Sequence, residues 1–145
     1  MNMKKTTTKL LCALLLAALV LTLSGCAQKD AAPAATQQAA TLTGGEVGKG
    51  QTAFPFTVVD KEGKETSFTV HTDKETVGDA LLAAGLIEGE TSQYGLYVKK
   101  VNGIAADYDT DKTYWAFYVN GAYATSGVDI TKIEDNATYM FKVEK

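Results

Sequence analysis

The sequence lacks arginine and holds only two cysteines and one histidine among its 145 residues. Its cationic groups are 14 lysines, set against 17 acidic residues for a net charge of −3. Nucleic-acid binding requires clustered cations that neutralise phosphates, so this composition argues against a nucleic-acid partner. The two cysteines are Cys12 and Cys26. The remainder of the chain therefore has no thiol for a disulfide, a thiolate metal site or a nucleophile.

Groups that could support catalysis or bind a metal are equally scarce. His71 is the single histidine, and no nucleophile with an orienting partner can be recognised beside it. We therefore predict a surface histidine, no catalytic residue and no enzymatic activity. The segment Asp107–Asp111 resembles the start of a calcium loop, but Lys112 and Tyr118 occupy the positions where that loop needs Gly and Glu. A solvated acidic loop is the prediction here, with no metal site.

The first 25 residues resemble a bacterial lipoprotein signal peptide. Three lysines precede an almost wholly apolar run over residues 10–21, which is too short to cross a bilayer as a helix. The run ends in Leu23–Cys26, which resembles the lipobox, the motif whose cysteine is acylated and becomes the first residue after cleavage. We therefore predict lipidation of Cys26 and a lipid-anchored position on the extracytoplasmic face of the cell membrane. The alternative is an ordinary secretory signal with a chance cysteine.

Residues 26–51 are rich in Ala, Gln, Thr and Gly and contain few large apolar side chains. Such a segment cannot bury enough apolar surface to order itself. We predict a flexible tether over residues 26–51 and a folded domain over residues 52–145. Cleavage before Cys26 would leave 11 lysines against 17 acidic residues, a net charge of −6.

The folded part combines several β-type runs with one amphipathic helix. Phe54–Asp60 and Glu65–His71 are aromatic and β-branched runs on either side of a turn, which predicts a hairpin. A helix is predicted within Thr76–Gly85, with the threonine as its cap and the glycine just after its end. Tyr94–Val101 and Ala137–Val143 predict further strands. One helix must then cover one face of a mixed sheet, which predicts an α+β, β-grasp-like fold.

The aromatic stretch Thr113–Thr125 organises the domain. Asn120-Gly121 at its centre predicts a two-residue type I′ turn, because both residues of that turn need a positive φ. Side chains alternate across a strand, so this turn assigns one set of residues to the core face, namely Trp115, Phe117, Val119, Ala122 and Ala124. We predict a core role for Trp115 in preference to ligand contact. The opposite face would carry Tyr114, Ala116, Tyr118, Tyr123 and Thr125.

The tyrosine-bearing face is the candidate binding surface. Its rings would either form cross-strand pairs that only stabilise the sheet or make a stacking platform for a planar ring or a sugar. Hydroxyl groups of the next two residues could add hydrogen bonds. The candidate ligand-binding residues are Tyr114, Tyr118, Tyr123, Thr125 and Ser126.

The order of these motifs carries a family resemblance. The Thr-Val-Gly-Asp-Ala-Leu helix start, the Tyr-Gly-Leu-Tyr strand, the Asn102-Gly103 turn and Trp-x-x-Tyr-Val-Asn-Gly over 115–121 follow one another, ahead of a last aromatic strand. Together they resemble a bacterial domain of unknown function that is similar to the C-terminal β-domain of transcobalamin and intrinsic factor. The resemblance covers about residues 54–145. Asp135-Asn136 stands where this family often has Gly-Asp.

The resemblance implies a transcobalamin-like β-domain, which the animal proteins use as one half of a cobalamin clamp. The helical-barrel half has no counterpart among these 145 residues. We therefore expect a membrane-anchored, non-catalytic binding lipoprotein, with a corrinoid as the implied ligand and no resident cofactor. One small sheet buries too little of so large a ligand, so a second surface is expected from another copy or a partner envelope protein. The alternative is a protein- or glycan-interaction module without a small-molecule ligand.

Overall fold

The computed structural model describes residues 41–145. The predictions for the signal peptide, for lipidation of Cys26 and for residues 26–40 of the tether lie outside the described residues. Within residues 41–145, no helix has the length and apolar character needed to cross a membrane.

Nine strands and two short helices make up the described part of the chain. In chain order they are β1 (Gly45–Gly48), β2 (Thr52–Val59), β3 (Glu65–Thr72), α1 (Val77–Ala83), β4 (Ile87–Ser92), β5 (Gly95–Val101), β6 (Ile104–Ala105), α2 (Tyr108–Asp111), β7 (Tyr114–Val119), β8 (Ala122–Tyr123) and β9 (Tyr139–Glu144). The sequence predicted the hairpin β2–β3, the helix α1, and the strands β5, β7 and β9. It missed β4, a glycine- and glutamate-containing strand that is exposed except at Ile87 and so shows little apolar alternation.

The six-stranded sheet has the order β1-β3-β2-β9-β7-β8. The last strand of the chain, β9, lies in its interior, parallel to β2 and antiparallel to β7. The remaining three strands form a second sheet, β4-β5-β6, which is antiparallel throughout. A mixed, sheet-dominated α+β architecture with one covering helix is therefore confirmed.

Helix α1 forms for the local reasons that the sequence indicated. The Thr76 hydroxyl accepts a hydrogen bond from the Asp79 backbone N–H at 3.2 Å and so caps the first turn. Gly85, with φ +69°, ends the helix in the left-handed conformation that favours glycine. Val77 and Leu81 are fully buried on its inner face, which attaches this short helix to the sheets.

A single hydrophobic core joins both sheets and α1. Its aromatic part comes from the inner face of the six-stranded sheet and consists of Phe54, Phe56, Phe68, Trp115, Phe117, Tyr139 and Phe141. Neighbouring rings in this set meet in both edge-to-face and stacked pairs, such as Phe54–Tyr139, with centroids 5.3 Å apart at 83°, and Phe117–Tyr139, with centroids 6.3 Å apart at 7°. The second sheet covers these rings with Val98 and Val101.

The folded part begins earlier than the sequence predicted. Residues 45–48, assigned above to the tether, form β1 and pair in parallel with β3. Ahead of β1, the buried Asn102 side chain accepts from Leu42 N–H at 2.8 Å and donates to Leu42 C=O at 2.9 Å. Backbone pairing holds this segment in place, and only Val47 of β1 packs against the core. The amino-acid composition of the segment therefore does not indicate a strand. The tether–domain boundary at residues 51 and 52 is corrected accordingly.

Candidate functional site

The hairpin β7–β8 has the predicted turn and register. Asn120 and Gly121 both have positive φ, +51° and +78°, as a type I′ turn requires. Tyr118 pairs with Tyr123, and Val119 pairs with Ala122. The Asn120 backbone N–H donates to Thr138 C=O at 2.8 Å, and its side-chain Oδ1 accepts from Thr138 N–H at 2.9 Å. These two bonds fix the turn against the chain just before β9.

The core face of this hairpin is as predicted at Trp115 and Phe117, and Val119 and Ala124 are partly buried against the core, but Ala122, at the turn end of β8, is exposed. Trp115 and Phe117 are 6% and 8% exposed. The indole Nε1–H of Trp115 donates to the Ile104 carbonyl at 3.2 Å, which satisfies its one polar group. The core role of Trp115 is confirmed, although part of its ring also borders the groove described below.

Two tyrosines form a corner on the outer face of the six-stranded sheet. The Tyr118 and Tyr123 ring centroids lie 5.5 Å apart at 75°, an edge-to-face contact. Tyr123 is 58% exposed, while Tyr118 and Tyr114 are half-buried. The predicted cross-strand pair is present. Because the two rings are nearly perpendicular, they do not form a flat stacking platform.

On this outer face a hydrogen bond and an ion pair join Tyr118 and Lys142 to the same carboxylate, that of Glu144. The Tyr118 hydroxyl donates to Glu144 Oε1 at 2.9 Å, and Lys142 Nζ lies 2.9 Å from the same oxygen. Lys142 first, and Tyr118 second, lower the pKa of Glu144, and the bond to Glu144 raises the pKa of Tyr118. Partial burial, with Tyr123 nearby, raises the pKa of Tyr114. The Lys142–Glu144 ion pair is internally compensated, which favours an uncharged partner on this face.

Thr125 and Ser126 lie just beyond the paired residues of the hairpin. In the described residues, the last hydrogen bond between β7 and this segment runs from Ala124 N–H to Phe117 C=O at 2.9 Å, so no ladder pairing assigns a face to Thr125. Its place on the tyrosine face stays a prediction. Both residues line a groove together with Tyr123, which also belongs to the tyrosine corner.

The groove lies between β5, β7 and the segment that follows β8. Its volume is about 300 Å³. Aliphatic, aromatic and hydroxyl-bearing residues line it, and they are Leu96, Tyr97, Val98, Trp115, Phe117, Tyr123, Ala124, Thr125, Ser126, Gly127, Val128 and Phe141. Sequence reasoning missed most of these residues because they come from separate stretches that only the fold brings together.

Two strand edges border the groove. Strand β8 pairs only with Tyr118 and Val119, so the first part of β7 has no ladder partner on that side. Strand β6 pairs only with Lys100 and Val101, so the first part of β5 has its ladder partner on the β4 side alone. Phe117 C=O and Lys99 C=O already accept from Ala124 and Ala106 N–H. The backbone groups that precede them on these two edges have no ladder partner there among residues 41–145.

The acidic segment near residue 110 is used for structure. Asp107 caps α2 and accepts from the N–H groups of Asp109 and Thr110 at 2.9 and 3.1 Å. Asp111 forms an ion pair with Lys61. The segment predicted as a solvated loop is thus one helical turn with an attached ion pair. No group of three or more potential metal-binding side chains occurs in residues 41–145.

The single histidine has one acidic neighbour. His71 Nε2 lies 4.0 Å from Glu46 Oε2, and the His71 side chain is 33% exposed. This half-buried position on β3 places the histidine beside β1, away from the groove and the tyrosine corner.

Comparisons with known proteins agree with this fold. Residues 74–145 match the family model described as a domain of unknown function (DUF4430). No curated protein matches the chain. The structure resembles a candidate metal-binding protein from Ruminococcus gnavus, with a TM-score of 0.62 and 24% identity over 66% of this chain and 98% of that one. It also resembles haptocorrin in complex with Cbi, with a TM-score of 0.50 and 16% identity over 66% of this chain and 26% of that one.

Both identities are low, so these likenesses concern the fold. The haptocorrin match covers about a quarter of that chain, so the likeness is to one part of a larger protein. The similarity to a transcobalamin-like binding domain, predicted from the motif order, is confirmed at the level of fold.

Proposed function

We propose that residues 41–145 form a β-grasp-like, non-catalytic binding domain and that the groove is its small-molecule site. The observation that supports this proposal is the groove itself, about 300 Å³ in volume and lined by Trp115, Thr125 and Ser126 among other residues. A concavity that combines aromatic and aliphatic side chains with a few polar groups is typical of ligand sites. Lipid anchoring through Cys26 would hold the domain at the extracytoplasmic face of the membrane.

The likeness to haptocorrin makes a corrinoid the first ligand to test. That structure holds Cbi, and its fold over the matched region is similar to this one. A groove of about 300 Å³ lies at the lower limit for ligand pockets, so it would accept a group projecting from a corrinoid and not the whole ring system. The rest of the ligand would require a second surface from another copy or a partner envelope protein.

Absorbance titration with the corrinoid cobinamide (Cbi) tests this function. Trp115 is the only tryptophan and borders the groove, so its fluorescence reports binding there independently. Ala124→Phe places a ring into the groove and should weaken binding strongly. Ala122→Phe lies two residues away on exposed β8, outside the groove, and should leave binding unchanged. Absence of a spectral change, or equal binding by both variants, would contradict the assignment.

A protein- or glycan-interaction role is the second candidate, and the tyrosine corner favours it. Tyr123 is exposed and packs edge to face against the ring of Tyr118. The charges of Lys142 and Glu144 beside them compensate one another. Such a surface suits the flat, uncharged face of a sugar ring. Tyr123→Ala should then reduce co-sedimentation with insoluble cell-wall glycan, while Tyr94→Ala, which alters an exposed tyrosine outside both the corner and the groove, should not.

A further inference from the structure

A second concave surface lies beside the tip of the β7–β8 hairpin. It has two parts, of about 370 and 440 Å³, which adjoin because both are lined by Val119, Ser126, Thr131 and Glu134. We refer to the two parts together as the hairpin cleft. Residues 123–126 border both the hairpin cleft and the groove, whereas Trp115 lines the groove alone. Each part has a volume in the range of small-ligand sites.

Hydrogen bonds hold the walls of the hairpin cleft in place. The bonds from the hairpin turn to the chain before β9, described above, fix one wall. In the other wall, Thr131 C=O accepts from Val77 N–H at 2.9 Å, which attaches the segment after β8 to the start of α1. The buried Tyr139 hydroxyl accepts from Glu134 N–H at 2.9 Å and donates to Lys132 C=O at 3.2 Å. A ligand therefore meets a site that needs little ordering before it binds.

The polar lining of the hairpin cleft offers donors and acceptors without a net charge. Lys132 and Glu134 contribute one charge of each sign, and none of the ion pairs among residues 41–145 includes either of them. Thr131 Oγ1 donates to a backbone carbonyl at 2.8 Å, so its lone pairs remain as acceptors. The hydroxyl groups of Thr125 and Ser126, two exposed residues, can donate or accept. This lining selects an uncharged ligand whose groups both donate and accept hydrogen bonds.

Apolar side chains border the same polar groups. Val119 and Ala122 come from the hairpin, and Ile130 comes from the segment after β8. Tyr123 adds an exposed aromatic ring. A sugar matches this combination, because the C–H face of its ring packs on aromatic and aliphatic groups while its hydroxyl groups donate and accept hydrogen bonds.

We propose that the hairpin cleft binds one neutral sugar unit, with the C–H face of the sugar ring against Tyr123 and its hydroxyl groups bonded to Glu134 and Ser126. The Glu134 carboxylate has two acceptor oxygens and so can bind two neighbouring sugar hydroxyls at once. This inference rests on the second candidate function, glycan interaction, for which it supplies a site. It does not depend on ligand binding in the groove.

Amide NMR spectra recorded during ligand titrations locate the binding site. Methyl β-D-glucopyranoside should shift the amide signals of Ser126, Thr131 and Glu134, and should leave those of Leu96 and Val98, which line the groove, unchanged. Cyclohexanol, a ring of similar size with a single hydroxyl group, should shift none of them. Equal shifts with both ligands would show apolar contact alone and would overturn the proposal. Shifts with the zwitterion of free alanine and none with the glycoside would also overturn it, because the ligand would then be an amino acid.

Glu134→Gln keeps the shape of the side chain and removes its charge. The glycoside should bind this variant about tenfold more weakly, because hydrogen bonds to a charged acceptor are stronger than those to a neutral one. Asp135→Asn, at the adjacent exposed acid outside the cleft, is the matched control and should keep the affinity of the parent protein. Equal affinities for the two variants would refute the role of Glu134.

Ala122→Phe separates the hairpin cleft from the groove. Ala122 lines the cleft and not the groove, so a phenyl ring at this position should abolish binding of the glycoside while cobinamide still binds. Glycoside binding that persists in Ala122→Phe would overturn the inference. If cobinamide binds no form of the protein and the glycoside behaves as expected, the groove assignment fails and the sugar site stands.

Cellotetraose distinguishes a glycan chain from a free sugar. Tyr123 belongs to both the cleft and the tyrosine corner, so a chain of sugars can continue from the cleft over the ring of Tyr118. Tighter binding of cellotetraose than of the glycoside, lost in Tyr118→Ala, would support the site with a glycan as its ligand. Equal affinity for the two, without co-sedimentation with cell-wall glycan, would support the site with a free sugar as its ligand.

Discussion

Phe117 and Tyr118 are neighbours on β7 whose side chains point to opposite faces of the sheet, so their truncation measures what each face contributes. Phe117 is 8% exposed, and its ring centroid lies 5.1 Å from that of Phe141 and 6.3 Å from that of Tyr139. Tyr118 is half-buried on the outer face, where its ring contacts Tyr123 and its hydroxyl contacts Glu144.

Phe117→Ala should destabilise the domain strongly. Truncation of a buried phenylalanine typically costs about 3–5 kcal/mol, from lost burial and from the cavity left behind. The groove already opens beside this ring, so the new space connects to solvent and we expect a value near the lower limit, about 3 kcal/mol. For a domain of roughly 100 residues this corresponds to a fall in Tm of roughly 12–24 °C.

Tyr118→Ala should lower Tm by only a small part of that amount. The Tyr118 ring is half-buried on the outer face, so water can fill the space that it leaves. Circular dichroism melts and urea titrations of both variants provide the comparison, with an unchanged urea slope showing that two-state unfolding persists. Tyr118→Phe is the matched control, since it removes only the hydroxyl bonded to Glu144. Equal destabilisation by Phe117→Ala and Tyr118→Ala would show that both faces are covered, and the tyrosine corner could then not be a free surface.

Three further predictions concern the ends of the domain and its charges. Asn102→Asp removes the donor to Leu42 C=O inside a buried site, so urea unfolding should show a loss of roughly 1–3 kcal/mol, and amide exchange should increase in β1. Cys26→Ser should abolish fatty-acid labelling and release the protein from the membrane fraction; labelling that persists would contradict lipidation at this residue. Hydrogen bonds from Lys61 first and Thr113 next hold the pKa of Asp111 well below its usual 3.8. This carboxylate therefore stabilises the fold above about pH 4 and less as the pH falls below that value, so Asp111→Asn should narrow the Tm difference between pH 7 and pH 3.

Local chemistry explains what could be predicted from the sequence. The turn at Asn120-Gly121 needs two positive φ angles, which those residues adopt at little cost, so the hairpin and its register follow from two positions. The same holds for α1, where the Thr76 cap and Gly85 mark the two ends. The alternation of side chains along β7 then assigns Trp115 to the core without any knowledge of what packs there.

Contacts between distant parts of the chain decided the rest. Strand β1 looks like tether in composition, and it is ordered only because β3 offers a free edge and Asn102 binds the backbone of Leu42 across 60 residues of sequence. The groove is assembled from β5, β7 and the segment after β8, and no local pattern links them. The sequence determined which residues turn, cap and alternate, because those preferences act within a few residues. Only the tertiary structure could place the Asp129 carboxylate against Gly95 at the start of β5, since groups that are far apart in sequence meet only when the sheets pack.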